Sequence, residues 1–316
     1  MRDSTPIAVT SRSFSRHPVL RAELLQRYEN VTFNEDGKAL AGETLVAFLG
    51  GHAKAITALE VIDDTLLAQV SELRVISKVG VGLDMIDLDA LGRRGVRQAW
   101  TPGTNRRSVS ELVIALALAL LRHVVPSVLE VRGGMWRQQQ GRTLSGRTVG
   151  VLVLGHVGQD LVRLLGPFEC RVLAQDIREW PEFEAEHRVT RVDLETFLRE
   201  SDVVSVHLPL TEETRNILSA ERLARMKMGA ILINTARGNL VDEGALAALL
   251  RSGRLAGAGF DVFAMEPPGD RDLLALPNFL ATPHIAGSTE EAILAMGRAA
   301  IAGLDAAVPA RSRPGR

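Results

Sequence analysis

Three side chains suited to binding and protonating a keto acid stand in the second half of the chain. Arg237, Glu266 and His284 each come just after a short apolar run that predicts a strand. An arginine fork binds a carboxylate bidentately, and a histidine held by a carboxylate can deliver or remove a proton near neutral pH. Each residue alone has an ordinary explanation, as a solvated charge or a structural histidine. Their joint position at three strand ends favours acid–base chemistry on an α-keto acid.

A dinucleotide-binding unit is predicted between Thr148 and Asp176, as a strand, a turn, a helix and a second strand. The turn contains Gly155 and Gly158, and a glycine-rich turn that opens a helix lets backbone N–H groups approach a pyrophosphate. Asp176 is placed to accept hydrogen bonds from a ribose diol, and its charge favours NAD over the 2′-phosphate of NADP. Val153 occupies the first glycine position of the fingerprint, so this segment alone also permits a strand–turn–helix without a nucleotide.

A second glycine-rich turn, from Lys78 to Asp84, follows the predicted strand 73–77. Turns at the carboxyl ends of parallel strands are where such folds bind ligands. Its backbone N–H groups could hold a carboxylate, and Lys78 would add positive charge. An ordinary strand-to-helix turn explains this segment equally well.

The elements that position these residues alternate between strands and helices, which indicates an α/β fold with parallel sheets. Predicted strands include 6–9, 149–154, 203–207, 230–234, 256–263 and 277–282, and segments 45–49, 55–59 and 73–77 continue the alternation. Predicted helices include 17–26, 160–165, 194–199, 219–226, 242–250 and one that begins at 290. Asp261 is a polar residue inside the predicted strand 256–263.

A break near residue 100 is the first predicted crossing between two domains. Ser108 and Glu111 have the spacing of a capping box ahead of a long apolar helix. A helix that is apolar on all sides should be buried on most of them, between domains or against a second subunit. Trp136, in a polar and glycine-punctuated stretch, is interpreted as a packing residue at a rim.

Composition excludes several classes of protein. The chain has 316 residues, 46% of them hydrophobic, which predicts a soluble globular protein. Its net charge of −1 provides no overall positive electrostatic field that would attract nucleic acid. The arginine-rich tail 310–316 is interpreted as a solvated terminus. The single cysteine, Cys170, excludes a disulfide framework, and the scattered histidines predict no metal site. No apolar run is long enough to span a bilayer and no signal peptide opens the chain, so we expect a cytoplasmic protein.

The chain resembles the D-isomer-specific 2-hydroxyacid dehydrogenases, and its pattern is most similar to phosphoglycerate dehydrogenase. The resemblance extends from about Lys78 to Thr289. It rests on the order and spacing of these stretches: KVGVGLDMIDL, TPGTNRRSVSE, LSGRTVGVLVLGHVG, SVHLPLTEET, INTARGNLVDEGAL, GAGFDVFAMEPP and LPNFLATPHIAGST.

The resemblance implies roles for individual residues. Arg237 would bind the substrate carboxylate, Glu266 and His284 would form the acid–base couple, and Asp261 would contact the nicotinamide carboxamide. The cofactor, expected to be NAD, would contact Thr101, Gly155, His156, Val157, Gly158, Asp176, Leu208, Thr235, Ala236, Asp261 and Gly287. The substrate would contact Lys78, Gly80, Val81 and Arg237.

The resemblance also implies an architecture of two Rossmann-like domains with parallel sheets. Residues 1–100 and 285–316 would form a flavodoxin-like substrate domain, and residues 101–284 the NAD-binding Rossmann domain, with a cleft that closes on the ligands. Family members are commonly dimers joined through the helix that here begins near Ser108, so we expect a homodimer. Because the chain stops near residue 316, we expect no C-terminal regulatory domain and no feedback control through one.

These features predict an NAD-dependent oxidoreductase that interconverts a small 2-oxo acid and its D-2-hydroxy acid. A phosphorylated or phosphonate-bearing acid is one substrate class, although Lys78 stands where phosphoglycerate dehydrogenases use arginine. The alternatives are a general hydroxypyruvate or glyoxylate reductase and, outside enzymes, an NAD-sensing protein that represses transcription. Formate or phosphite oxidation, also found in the family, has no specific signature here.

Overall fold

The computed structural model describes residues 2–310, so the arginine-rich tail lies almost entirely outside the described residues. The chain divides after Asn105 and after Ala286: one unit combines the two ends of the chain, and the other is Arg106–Ala286. We call them the terminal unit and the central unit. The sequence pattern placed these boundaries after residues 100 and 284. The assignment of substrate to one unit and NAD to the other stays a prediction at this point.

The helices and strands alternate along the chain. The terminal unit begins with β1 (Ile7–Val9), α1 (Arg12–Arg16), α2 (Pro18–Arg27), β2 (Val31–Phe33), α3 (Gly42–Leu49), β3 (Lys54–Thr57), α4 (Asp64–Leu67), β4 (Val75–Lys78), α5 (Leu88–Arg93) and β5 (Arg97–Ala99). The central unit contains α6 (Arg106–Leu121), α7 (Val124–Arg132), β6 (Thr148–Leu152), α8 (His156–Leu165), a 3₁₀ turn (Gly166–Phe168), β7 (Arg171–Gln175), α9 (Pro181–Glu186), β8 (Thr190–Arg191), α10 (Leu194–Glu200), β9 (Val203–Val206), α11 (Ala220–Arg225), β10 (Ile231–Asn234), α12 (Glu243–Arg251), β11 (Gly257–Phe260), α13 (Arg271–Leu274) and β12 (Phe279–Ala281). The terminal unit ends with α14 (Glu290–Ala306) and β13 (Val308–Pro309).

The central unit is built on a seven-stranded parallel sheet in the order β12-β11-β10-β9-β6-β7-β8. Its strands are short apolar runs because both faces are covered. Helices α6 and α8 pack on one face, around Val151 and Ile233, and α10 to α12 cover the other, around Leu232 and Phe260. The strand order reverses between β6 and β9, and ligands bind in such sheets at this switch point, beyond the carboxyl ends of the strands.

The terminal unit has a six-stranded sheet in the order β13-β5-β4-β3-β1-β2. Helix α14 packs on one face, where the Ser77 hydroxyl donates to the carbonyl oxygen of Ala300 at 2.7 Å. The strands are parallel except β13, which pairs antiparallel with β5. The predicted architecture with parallel sheets is confirmed, and the edge strand β13 can pair antiparallel because such a pairing needs no crossover helix.

Helix α6 differs from its prediction in two respects. It begins at Arg106, so Ser108 and Glu111 lie inside the helix and form no capping box. The Ser108 hydroxyl instead donates to the carbonyl oxygen of Ala286 at 2.5 Å. The helix also buries one face, which includes Val113 and Leu116, in the central unit's own core, while its remaining apolar residues are partly or fully exposed.

Three further details correct the sequence-based picture. Asp261 lies immediately after β11 and not inside a strand, because the sheet pairing ends at Phe260. Trp136 is 87% exposed, so it is no packing residue within this chain. Among the described residues no single helix is long and apolar enough to cross a membrane, and α6 with α7 reaches that length only as a pair bent by 61°.

Candidate active site

His284 and Glu266 form a hydrogen-bonded pair at the carboxyl edge of the central sheet. His284 Nδ1 lies 2.8 Å from Glu266 Oε2, and the other carboxylate oxygen accepts the backbone N–H of Phe263 at 3.1 Å. Both side chains are accessible, with 51% of His284 and 40% of Glu266 exposed. The carboxylate is held by the backbone and in turn orients the imidazole, so Nε2 is the ring nitrogen left to exchange a proton with a ligand.

Arg237 stands in the turn that follows β10, the neighbour of β11. Buried Asn234 shapes this turn: its side-chain N–H donates to the carbonyl oxygen of Arg237 at 2.8 Å, and its side-chain oxygen accepts the N–H of Ala236 at 3.1 Å. A Cβ on Gly238 would lie 1.9 Å from the carbonyl oxygen of Phe263. Only glycine allows this approach, which brings the Arg237 turn against the turn that carries Glu266.

Arg237, Glu266 and His284 therefore follow three adjacent strands, β10, β11 and β12, as the sequence predicted. The supporting residues Asn234 and Gly238 were missed. The asparagine at the end of an apolar strand and the glycine directly after the arginine were the signals that could have revealed them. A pocket of about 430 Å³ opens beside the couple, and its lining combines apolar residues with the polar side chains of His284, Glu266, Asp261 and Thr282.

Asp261 is fully buried next to these residues. Its carboxylate accepts hydrogen bonds from the Thr282 hydroxyl at 2.5 Å and from the backbone N–H groups of Ile285 and Ala286, both at 2.8 Å. The structure thus places this residue against the segment that carries His284. Its contact with a nicotinamide carboxamide stays a prediction.

The predicted pyrophosphate turn joins β6 to α8. Val153, at the first glycine position, adopts a left-handed φ of +78°, a conformation that normally requires glycine. A Cβ on Gly158 would lie 2.3 Å from the carbonyl oxygen of Val153, so α8 packs directly on the turn. Gly155 precedes the helix, whose first residues are His156 and Val157. The N–H groups of a first helical turn lack intrahelical partners and attract anions.

Asp176 directly follows β7 and is 9% exposed. Its carboxylate accepts the backbone N–H of Leu154 at 2.8 Å and that of Arg178 at 2.9 Å. The residue therefore ties the pyrophosphate turn to the neighbouring strand and keeps a negative charge beside it.

The predicted cofactor residues of the central unit fit a dinucleotide. Thr235 follows β10, and its buried hydroxyl has no hydrogen-bond partner within the described residues. The space beside Gly155 is open, since no atom lies closer than 4.0 Å to a Cβ placed there. Leu208 and Ala236 follow β9 and β10 at the same sheet edge. A bound dinucleotide would use the unpartnered hydroxyl of Thr235, the open space beside Gly155 and the carboxylate of Asp176 at the end of β7.

His207, directly after β9, was not singled out from the sequence. Its Nε2 lies 2.9 Å from the hydroxyl oxygen of buried Ser205. Burial lowers the pKa of His207 to about 4, so the imidazole is neutral at neutral pH.

The other predicted ligand residues lie in the terminal unit. Lys78 ends β4 and is only 6% exposed; its ammonium donates to the carbonyl oxygens of Ala58 and Val79. Gly80 has a φ of +109°, which suits glycine, and the carbonyl oxygen of Val81 accepts the indole N–H of Trp100 at 2.9 Å. Thr101 and Gly287, predicted to contact the cofactor, also belong to this unit. No group of three or more metal-ligating side chains occurs in residues 2–310.

Known proteins resemble this chain in sequence and in fold. The family model described as "D-isomer specific 2-hydroxyacid dehydrogenase, NAD binding domain" matches residues 114–286. The chain belongs to this family. A family member named hydroxypyruvate reductase, from Thermotoga maritima, is 41% identical over 225 residues, which cover 70% of this chain and 72% of the relative. The resemblance inferred from the motifs is confirmed.

Two further members of the family define how far the likeness extends. A D-3-phosphoglycerate dehydrogenase of Mycobacterium leprae is 37% identical over 250 residues, or 78% of this chain, but the match spans only 47% of that relative. The crystal structure of a D-isomer-specific 2-hydroxyacid dehydrogenase homologue from Polaromonas sp. JS6 66 superposes with a TM-score of 0.88 at 28% identity, covering 96% of both chains. The protein is therefore an oxidoreductase of this family, with an NAD(P)-binding domain and the two-sheet α/β fold.

Proposed function

We propose that this dehydrogenase interconverts a small 2-oxo acid and its D-2-hydroxy acid with NAD as the coenzyme. The observation that carries the proposal is the 2.8 Å contact between His284 Nδ1 and Glu266 Oε2. A bound NADH would supply the hydride to the carbonyl carbon. Arg237, on the adjacent strand end, would bind the carboxylate through its planar fork.

The protein's own part in the reduction is to deliver one proton. With Nδ1–H donated to Glu266, His284 Nε2 carries the proton that passes to the carbonyl oxygen as the hydroxyl forms. Glu266 stabilises the imidazolium before transfer and keeps the ring in the required tautomer. In the oxidative direction neutral His284 removes the same proton.

Replacement of His284 tests this assignment. We expect His284→Ala to lower kcat for 2-oxo acid reduction by about 10²- to 10⁴-fold, the usual contribution of a general acid. Binding of NADH, followed by fluorescence titration, should stay within about 3-fold because the imidazole is not assigned to the coenzyme. Near-normal turnover by a folded His284→Ala protein would refute the role. NADH binding by the wild-type protein without turnover of any 2-oxo acid would favour the NAD-sensing alternative.

The coenzyme preference rests on Asp176. Its carboxylate stands at the end of β7, where the adenosine ribose of a dinucleotide lies in folds of this type, and a 2′-phosphate there meets like charge. We expect kcat/KM for NADH to exceed that for NADPH by more than about 10-fold, or about 1.4 kcal/mol. An equal or higher value for NADPH would contradict the preference.

Lys78 favours a substrate without a second strongly anionic group. Its ammonium is buried and already donates to the carbonyl oxygens of Ala58 and Val79, so a distal phosphate would have to compete with both. We therefore infer an acid of the glyoxylate or hydroxypyruvate type. The hydroxypyruvate reductase of Thermotoga maritima, matched over 72% of its length, supports the same class. Lys78, Gly80 and Val81 stay predicted substrate residues.

A substrate panel separates the two classes. NADH oxidation is measured with glyoxylate, hydroxypyruvate and 3-phosphohydroxypyruvate, for the wild-type protein and for Lys78→Met, which keeps the aliphatic stem. We expect the uncharged acids to be preferred and the preference to persist in the variant. A preference for the phosphorylated acid that disappears with Lys78→Met would instead establish a phosphate-binding role and a phosphoglycerate-like substrate.

We also infer a homodimer, formed through α7, which directly follows α6, the helix to which the family resemblance assigned the dimer contact. This helix buries none of its own residues, and Val128, Leu129 and Val131 are 43%, 60% and 53% exposed, close in sequence to exposed Trp136. Exposed apolar surface of this extent on a helix marks an association site, and a second copy supplies a self-complementary partner. Light scattering should show a dimer that Leu129→Glu converts to a monomer. Leu59→Glu, at a leucine 67% exposed in the terminal unit, is the matched control and should stay dimeric.

A further inference from the structure

His284 has an unusual backbone conformation that must be maintained by its surroundings. Its φ is +54°, in the left-handed region that is unfavourable for residues other than glycine. Such a conformation persists where neighbouring contacts over-determine it. The candidate general acid of this enzyme is therefore held by more than the Glu266 contact to its ring.

The contacts that hold this backbone converge on Asp261. The His284 N–H is shared between the carbonyl oxygens of Asp261 and Thr282, each at 3.0 Å. The next two N–H groups, of Ile285 and Ala286, donate to the two carboxylate oxygens of the same residue, each at 2.8 Å. Thr282, on the other side of His284, donates its hydroxyl to the first of these oxygens at 2.5 Å.

This pattern is that of an anion in a backbone nest. A left-handed residue turns successive N–H groups toward one side of the chain, and the concavity so formed binds an anion. Here the anion is the protein's own Asp261 carboxylate. It is fully buried, and within residues 2–310 its hydrogen-bond donors come from Thr282, Ile285 and Ala286. Because an ionised carboxylate only accepts hydrogen bonds, it matches these three donors.

We propose that Asp261 is a positioning residue for proton transfer: it sets the left-handed turn at His284 and thereby places the imidazole against Glu266. The inference rests on the proposed role of His284 as general acid. It differs from the contact with the nicotinamide carboxamide that the family resemblance implies, because it acts through the backbone of His284, to which the carboxylate commits three of its roughly four lone pairs. Glu266 then fixes the ring, and Asp261 fixes the backbone that carries the ring.

Asp261→Asn and a pair of variants at Thr282 test the proposal. An asparagine places an amide N–H against one of the three donors, so that hydrogen bond is lost and the turn shifts. Misplacement of a catalytic group by about 1 Å lowers the rate by up to about 10²-fold. We expect Asp261→Asn to lower kcat at saturating NADH by about 10- to 100-fold and to leave the Kd for NADH within about 3-fold. Thr282→Val removes one donor at constant shape and should lower kcat by about 3- to 10-fold. Thr282→Ser retains the hydroxyl and should restore most of the rate.

A second readout does not depend on turnover. In coenzyme-free protein with ¹⁵N-labelled histidine, the His284 ring signals, assigned by their absence in His284→Ala, should shift in Asp261→Asn and Thr282→Val but not in Thr282→Ser. If Asp261→Asn does not fold, as judged by its thermal transition, the Thr282 pair still decides the question. The His284 ring signals report the position of the imidazole even if near-normal turnover by His284→Ala shows that this residue is not the general acid.

Two results would overturn the proposal. A higher Kd for NADH with unchanged kcat at saturation would make Asp261 a coenzyme contact. Unchanged His284 ring signals in Asp261→Asn and in Thr282→Val would show that the turn does not depend on this carboxylate.

Discussion

Glu266 Oε2 lies 2.8 Å from His284 Nδ1, although 18 residues separate the two in sequence. They meet because β11 and β12 are neighbours in one parallel sheet, with Ala258 opposite Phe279. In the proposed reduction of a 2-oxo acid, this contact holds the imidazole that delivers the proton.

Neutralising this carboxylate should slow the reduction of the 2-oxo acid. We expect Glu266→Gln to lower kcat/KM for reduction by about 10- to 100-fold at pH 7. Glutamine cannot form an ion pair with the imidazolium, so the ring loses its charged partner and its fixed orientation. The measurement is the steady-state rate of NADH oxidation at pH 7. Glu23→Gln, which removes a partly buried carboxylate paired with Arg298, is the control, and its rate should match that of the wild type.

Alanine should lower mainly the stability of the protein at Gly158 and mainly the affinity for NADH at Gly155. At Gly158 a Cβ would lie 2.3 Å from a backbone carbonyl oxygen, so Gly158→Ala should destabilise the coenzyme-free protein by about 1 to 3 kcal/mol. At Gly155 the space is open in the protein, but a pyrophosphate would fill it. Gly155→Ala should change the unfolding free energy by less than about 1 kcal/mol and weaken NADH binding by more than about 10-fold. Urea unfolding and NADH titration of both variants distinguish these effects, and equal behaviour of the two would contradict the assignment.

The unpartnered hydroxyl of Thr235 should contribute to NADH binding and not to the stability of the coenzyme-free protein. Leaving a buried hydroxyl without a partner costs about 1 to 3 kcal/mol, so Thr235→Val should leave the coenzyme-free protein as stable as before or more stable. NADH affinity should fall by about 3- to 10-fold. Thr57 in the terminal unit also has a buried, unpartnered hydroxyl, which makes Thr57→Val a matched control. If both variants bound NADH as the wild type does, Thr235 would not be a coenzyme residue.

His207 should make the protein less stable in mild acid. Its pKa is about 4 in the folded protein, against 6.5 for the unperturbed side chain, because burial disfavours the charged form. Between about pH 4 and pH 6.5 the unfolded chain therefore binds the extra proton, and the free energy of unfolding rises with pH. The effect amounts to at most about 3 kcal/mol and is absent above pH 7. The difference in unfolding free energy between wild type and His207→Gln should change across this interval, and a difference that is constant with pH would exclude this titration.

Much of the fold followed from local patterns in the sequence. Buried parallel strands are short apolar runs, and the runs at 203–207 and 230–234 correspond to β9 and β10. The motif order also identified the family and the candidate triad, because Arg237, Glu266 and His284 each stand directly after such a run. The family itself is confirmed by comparison, whereas the roles of the three residues are still predictions.

The sequence by itself determined the alternating α/β architecture, the family and the position of each candidate residue at the end of a strand, since apolar periodicity and strand-end motifs are properties of neighbouring residues. Tertiary structure alone decided the rest. Val153 and His284 adopt left-handed backbone conformations, α6 begins before the predicted capping box, and β13 pairs antiparallel with β5. The backbone N–H groups of Ile285 and Ala286 donate to the carboxylate of Asp261. These outcomes depend on contacts between residues distant in sequence, whose combined free energy outweighs local conformational preference.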